Sequence, residues 1–388
     1  MPATLQHQDL PPQTALVLQG GGALGAYQGG VYEALAGTEQ QPDWVAGISI
    51  GAINAALIAG NPAERRVERL RQFWHTVSSE LQFRLSSPQG FARRFVNETA
   101  AFLAATTGVP GMFTPRFPPL PTEWPAELGQ LGFYDTSPLR TTLLQLIDFD
   151  LLNNGPIRFS VGAVNVLNGN FAYFDNRERT IGPEHIMASG ALPPGFPPVK
   201  IGDDWFWDGG LVSNTPLQYV LDNRPPCELT VFQVDLFSSR GSVPRTMADM
   251  FQREKDIRYS SRTRLNTDAS KKTQALHAAA RRLARRLPPE LRDDPDLRLL
   301  LNHEPEGSVV IMHLINRCVH YESNSKDYEF SRQTVEEHWA NGCDDATFSL
   351  AHDEWISRKH VADTITTFDL AGHRLRETGA SGQALDAC

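Results

Sequence analysis

At 388 residues the chain is too long for one small domain and suits one large α/β domain with an appendage. Its 41% hydrophobic and 21% charged content allow a sizeable core, and a net charge of −9 gives no general reason to expect nucleic-acid binding. The four cysteines (Cys227, Cys318, Cys343, Cys388) form no CxxC pair, which argues against a zinc knuckle or a disulfide framework and suits a reducing compartment.

The polar start, Met1 to Gln13, has no cationic opening and no apolar run, so no secretory signal is expected. No stretch approaches the roughly 20 apolar residues of a spanning helix, and a cytoplasmic location with at most peripheral membrane contact is expected. Ala15 to Gln19 reads as a short buried strand that runs into Gly20-Gly21-Gly22 and a helical stretch, Ala23 to Leu35. The theme repeats with a strand over Trp44 to Ile48, Ser49 at the turn, and a helix from Ile50 to Ala59 ended by Gly60-Asn61-Pro62. A helix from Glu64 to Val77 follows. Repeated strand, turn and helix predict a largely parallel sheet with helices on both faces.

Residues 84–130 break this rhythm, with a helix over Phe91 to Ala105 and then a proline-rich run carrying Phe113, Phe117 and Trp124. Long irregular segments inside compact domains often act as lids, and the alternative is a loop packed on the core. The pattern returns with a helix over Ser137 to Ile147 and strands at Ile157 to Asn165, Phe171 to Phe174, Asp204 to Asp208 and Leu229 to Leu236. Beyond Arg245 the chain becomes helical and basic, and Ser308 to Ile315 reads as one more buried strand. The rest of the tail reads as helical stretches with an unstructured end. Arg262, Arg264, Lys271, Lys272, Arg281, Arg282, Arg285 and Arg286 cluster here. A solvated helix face is one reading of that cluster, and a peripheral contact with anionic lipid is the other.

Three motifs carry chemistry. Gly47-Ile48-Ser49-Ile50-Gly51 has the form of a nucleophile elbow, in which a strained strand-to-helix turn exposes the serine and flanking glycines avoid collisions. The helix N-terminus behind it favours a developing anion. Gly20-Gly21-Gly22 lets backbone N–H groups converge on one point, as an oxyanion hole or a phosphate cradle requires. No Gly-Lys-Ser/Thr follows, and no ribose-binding acid ends a second strand, so the oxyanion hole is the better reading. Trp207-Asp208-Gly209-Gly210 places an acid at the end of an aromatic strand, followed by Asn214-Thr215-Pro216. Taken alone, such an Asp-Gly-Gly is usually a turn.

Together, and in this order, these elements resemble the patatin-like phospholipase family over residues 14–240. The resemblance implies a three-layer α/β fold with a largely parallel sheet and a helical C-terminal extension. It implies Ser49 as nucleophile and Asp208 as base, with the N–H groups of Gly20, Gly21 and Gly22 as oxyanion hole. Gly47 and Gly51 then shape the elbow, and Gly209 and Gly210 the aspartate turn. Ala188 to Pro198 looks like a family block that lines the site. The family's glycine loop often carries Arg or Lys where this chain has Leu24, which weakens the case for anionic head groups. A bacterial subgroup is similar in that loop, in Asp148 to Asn153, and in a basic C-terminal extension.

The implied activity is cleavage of lipid carboxylic esters through an acyl-enzyme, with a lipid or ester substrate and neither metal nor cofactor. Acyl transfer or thioester cleavage from the same intermediate is the alternative, as is a catalytically inactive lipid-binding protein. A Ser-His-Asp triad is the nearest mechanistic rival, with His185, His313 and His320 as its candidates. The expected division is a tail over 1–13, a catalytic domain over 14–242 with the insertion at 84–130, and an extension over 243–388. The strand near 308–315 is a candidate to rejoin the core sheet.

Overall fold

The computed structural model describes residues 11–78, 91–118, 123–260, 263–288, 291, 294–301, 307–317, 326–361 and 364–372. Strand β1 (Gln13–Leu18) enters the glycine loop, and a 3-10 turn (Gly22–Gly25) leads into helix α1 (Ala26–Ala36). The sequence predicts one helix from Ala23, but with Gly22 at φ +56° the chain first winds a tight 3-10 turn. Strand β2 (Trp44–Gly47), α2 (Ile50–Ala59) and α3 (Arg66–Val77) complete the first half. The insertion contributes α4 (Phe91–Thr107) and a small two-stranded sheet of β3 (Thr114–Pro115) and β4 (Tyr134–Asp135).

Next come α5 (Ser137–Leu146), α6 (Phe149–Asn154), β5 (Arg158–Asn165), β6 (Phe171–Asp175), α7 (Pro183–Ser189), β7 (Val199–Ile201) and β8 (Asp204–Asp208). The chain continues through α8 (Leu217–Asp222), β9 (Leu229–Asp235), α9 (Met247–Tyr259), α10 (Thr263–Ala284) and α11 (Pro295–Leu301). It ends with β10 (Val309–Ile315), α12 (Arg332–Ala351), α13 (Asp353–Ile356) and β11 (Ile365–Phe368).

One mixed sheet has the order β11-β10-β9-β1-β2-β5-β8-β7, and β6 also pairs with β5. The pairs from β11 to β5 are parallel, whereas β6, β8 and β7 pair antiparallel. Strand alternation explains the three layers. Leu16 and Leu18 of β1 join one core with α1, α2 and α12, while Ala15 and Val17 join a second core with Leu217, Val220 and Leu221 of α8. Strand β10 divides the same way, with Val310, Met312 and Leu314 against Val309 and Ile311.

The C-terminal region is built into this sheet. Strand β10 pairs with β9 from Val309↔Leu229 to Ile315↔Asp235, and β11 extends the edge beyond it. Helix α12 lies so close on α1 that a Cβ on Gly30 would stand 1.9 Å from the Trp339 carbonyl oxygen. Strand β11 falls in a tail that reads as helical and unstructured from sequence. Its four residues, two of them threonine, are too few to display an alternation.

The basic cluster is not a single face. Arg281 is buried, and Lys271 donates to Thr367 Oγ1 at 3.0 Å, while Lys272, Arg282, Arg285 and Arg286 are exposed. Arg262 lies outside the described residues, as does the side chain of Arg264. Among the described residues, no helix is long and apolar enough to cross a membrane.

Candidate active site

The parallel strands β1 and β2 deliver the glycine loop and Ser49 to the same edge of the sheet, where ligands bind in open α/β folds. Ser49 follows β2 with φ 55° and ψ −123°, and among the described residues no other non-glycine has a positive φ. Such a conformation costs on the order of 1–3 kcal/mol and persists only where its surroundings impose it. The surroundings are visible. A Cβ on Gly47 would stand 2.2 Å from the Gly51 carbonyl oxygen, and one on Gly51 would stand 2.3 Å from that of Leu18. The Ser49 N–H donates to the Oγ of fully buried Ser189 at 2.9 Å, which pins the turn from the α7 side.

The Ser49 hydroxyl does not cap its own helix. It lines the same cleft as Asp208, at the end of β8, and stands near enough to that carboxylate to lower its pKa. Strand β8 runs antiparallel to β5 with Asp208 opposite Ala163, and the Asp208 N–H donates to the Ala191 carbonyl at 3.0 Å. That bond ties the acid to the Ala188–Pro198 block. Asp208 is 3% exposed and accepts from the Gly210 N–H at 2.7 Å. Burial pushes its pKa up to about 7, against the lowering effect of the Gly210 hydrogen bond and of the Ser49 hydroxyl. A carboxylate is ordinarily too weak a base for a serine hydroxyl, and this environment moves it toward neutral pH.

The three glycines of the loop are not equivalent. The Gly20 N–H donates to the Asn214 carbonyl at 3.1 Å, and Asn214 Nδ2 returns a bond to the Gly20 carbonyl at 3.0 Å. Gly20 is therefore an anchor, and the N–H groups of Gly21 and Gly22 have no partner among the described residues. Beneath them, Gln19 Oε1 accepts from the N–H groups of Leu236 and Phe237 at 2.6 and 2.9 Å, while its Nε2 donates to Thr215 Oγ1 at 2.9 Å. One buried amide thus joins the ends of β1 and β9 to the segment after Asp208. Leu24 is fully buried in the core.

Ser49 and Asp208 open into a cleft enclosing about 940 Å³, part of it open to solvent. One wall is apolar. Phe113 of the insertion packs edge-on against Tyr134 and beside Phe196, with ring centroids at 4.7 and 5.1 Å, and Met112, Leu139 and Leu192 adjoin them. Another wall comes from the C-terminal region and includes Tyr259, Asp327, Tyr328 and Phe330. The Asp327 carbonyl accepts from the Ala23 N–H at 2.9 Å, so this segment also braces the glycine loop. Asn214 Nδ2 reaches the Tyr259 carbonyl at 2.9 Å. Sequence reasoning missed these residues, although the acid–aromatic run Asp327-Tyr328-Glu329-Phe330 is unusual in an otherwise plain tail.

The model of the patatin-like phospholipase family matches residues 16–221, the stretch that carries the glycine loop, Ser49 and Asp208. The chain belongs to this family. A second model, described as patatin phospholipase, matches residues 257–361, which include the Tyr259 and Asp327–Tyr328 wall. For a patatin-like phospholipase, lipid hydrolysis is the supported class of activity. No curated protein sequence matches significantly.

Two solved structures are similar at low identity. VipD from Legionella pneumophila is 14% identical at a TM-score of 0.33, with 96% of this chain and 75% of that one covered. Human GIVD cytosolic phospholipase A2 is 12% identical at a TM-score of 0.42, with 88% of this chain covered, and the match spans 59% of that protein's length.

Two of the histidine candidates for a Ser-His-Asp triad sit elsewhere. His185 Nδ1 accepts from the Gly182 N–H at 3.0 Å in the first turn of α7, and His313 is buried on β10. His320 lies outside the described residues. Among the described residues, no histidine lines the cleft.

Proposed function

We propose that the chain hydrolyses carboxylic esters of lipids through a Ser49–Asp208 dyad and an acyl-enzyme on Ser49. The observation that carries this reading is the strained turn that presents Ser49 to the same cleft as the buried Asp208 carboxylate and the glycine loop. Asp208 accepts the hydroxyl proton as Ser49 Oγ bonds to the ester carbonyl carbon. The resulting oxyanion is held by the N–H groups of Gly21 and Gly22, while Gly20 and Asn214 hold the loop in place. As the intermediate collapses, the C–O bond to the alcohol breaks and Asp208 returns the proton to the leaving oxygen. Water then gives a proton to Asp208 and its oxygen to the acyl carbon. The acid departs and Ser49 regains its hydrogen.

The apolar wall suits an acyl chain. Beyond it the insertion carries Phe117 at 92% and Trp124 at 71% exposure, which fits a lid that meets an aggregated lipid. The test is turnover of p-nitrophenyl esters of increasing chain length and of glycerolipids by the wild type and Ser49→Ala. We expect wild-type turnover to rise with chain length and Ser49→Ala to lose at least about a thousandfold while remaining folded. Turnover retained in Ser49→Ala would remove the dyad, and equal rates on short and long chains would remove the lid.

A further inference from the structure

We propose that the C-terminal wall of the cleft is a leaving-group subsite for an uncharged, hydroxyl-bearing alcohol, and that the Lys255–Asp327 pair makes it discriminate against anionic head groups. This rests on the hydrolase reading above and names the substrate class of the same site.

The charged side chains among the described residues that line the cleft are Asp208 and Asp327, both carboxylates. Lysines stand behind that wall and are matched by acids. Lys255 Nζ bonds to the Asp327 carboxylate and lies 4.9 Å from the centroid of the Tyr328 ring. Lys326 Nζ contacts Asp256 at 2.9 Å and lies 5.5 Å from the Phe237 ring, with both partners of the ion pair buried. An incoming phosphate would therefore meet carboxylates first and would have to separate Lys255 from a partner it already holds, in a site where charges are weakly screened. An alcohol has the opposite experience. The phenol group of Tyr328, that of Tyr259, which Arg258 adjoins, and Asn214 Oδ1 line the same cleft and offer donors and acceptors, although Asn214 Nδ2 is already held by the Gly20 and Tyr259 carbonyls. These groups can hydrogen-bond hydroxyls with no charge to desolvate.

The segment that carries Asp327 also braces the glycine loop through its backbone carbonyl, and a side-chain substitution leaves that contact in place. Selectivity can thus be changed without dismantling the site. The two members of the pair should move it in opposite directions. Asp327→Asn removes one negative charge from the wall, and Lys255→Met removes one positive charge.

The experiment is direct competition between two esters with the same acyl chain, a monoacylglycerol and the corresponding lysophosphatidic acid. Wild type, Asp327→Asn and Lys255→Met are each given both substrates in mixed micelles of a neutral detergent. The ratio of the two kcat/KM values is internal to each sample, so partial unfolding does not move it. The wild type should favour the monoacylglycerol by about tenfold or more, the size of one Coulomb interaction in a partly wet cleft. Asp327→Asn should narrow that preference severalfold and Lys255→Met should widen it. A wild type that prefers the lysophosphatidic acid overturns the proposal. So do variants whose ratios both stay at the wild-type value or both shift the same way. If Lys255→Met does not fold, the wild-type ratio and Asp327→Asn still decide. Loss of both activities in Ser49→Ala, together with a wild-type ratio near one, would leave the hydrolase reading intact and reject only the subsite.

Discussion

Asp208→Asn lowers kcat/KM on ester substrates by about three orders of magnitude, within the range contributed by a positioned general base. It also makes the protein more stable at alkaline pH. Asparagine keeps an acceptor for the Gly210 N–H, which bonds to Asp208 Oδ1 at 2.7 Å, so the turn is preserved. What it loses is a proton acceptor. In the wild type, kcat/KM should climb with pH through about 7, as the buried carboxyl gives up its proton and becomes able to act as base. In Asp208→Asn the residual activity should lack that limb.

The stability effect follows from the same displacement. The folded-state pKa of Asp208 is about 7 against an ordinary value of 3.8, so between those values the folded state binds a proton that the unfolded state has released. The neutral carboxyl therefore suits burial at acid pH. That advantage declines as pH rises from about 4 to about 7, and above 7 the site holds a charge that burial disfavours. Asparagine carries no such charge. Denaturant unfolding should show Asp208→Asn ahead by about 2–4 kcal/mol at pH 8.5, with the gap closing toward pH 4.5. A gap that does not change with pH would mean that Asp208 does not titrate in this range.

Gly22→Ala should lower kcat by about a hundredfold or more with a smaller effect on KM, because a preorganised oxyanion donor acts mainly on the transition state. The glycine has φ +56°, and a Cβ there would stand 2.2 Å from the Asp327 carbonyl oxygen. Alanine must push the 3-10 turn and the C-terminal segment apart, which moves the Gly22 N–H and loosens the Ala23–Asp327 bond together. Gly37→Ala is the control, since the nearest atom to its Cβ would be 3.9 Å away. Normal turnover by Gly22→Ala would place the oxyanion hole elsewhere.

The reacting groups were legible in the sequence because each imposes a steric rule on its neighbours. Ser49 can sit at φ 55° only with small residues at 47 and 51, and a turn that returns a backbone N–H to the Asp208 carboxylate leaves a mark in Gly209-Gly210. Strands such as β1 and β9 were visible as buried apolar runs. Other features leave no local pattern. That Gly20 anchors the loop through Asn214, 194 positions away, depends on which carbonyl happens to face its N–H. Tyr259 reaches the cleft from a region whose composition reads as a basic helical arm, and Asp327 from the plain tail beyond it. Helix α7 is one short turn-rich segment opened by Gly182-Pro183, yet it ends on the serine that pins the nucleophile.

The central claim is that Ser49 forms a covalent acyl-enzyme, and trapping it is the most direct test. The wild type is incubated with a long-chain alkyl fluorophosphonate, and the modified residue is located by peptide mass spectrometry. The reading predicts one adduct, on Ser49, with loss of fluoride and complete loss of esterase activity. Labelling should be slower in Asp208→Asn, accelerate through pH 7 in the wild type, and be absent in Ser49→Ala. An adduct on any other residue, or full inactivation of Ser49→Ala at the wild-type rate, would contradict it.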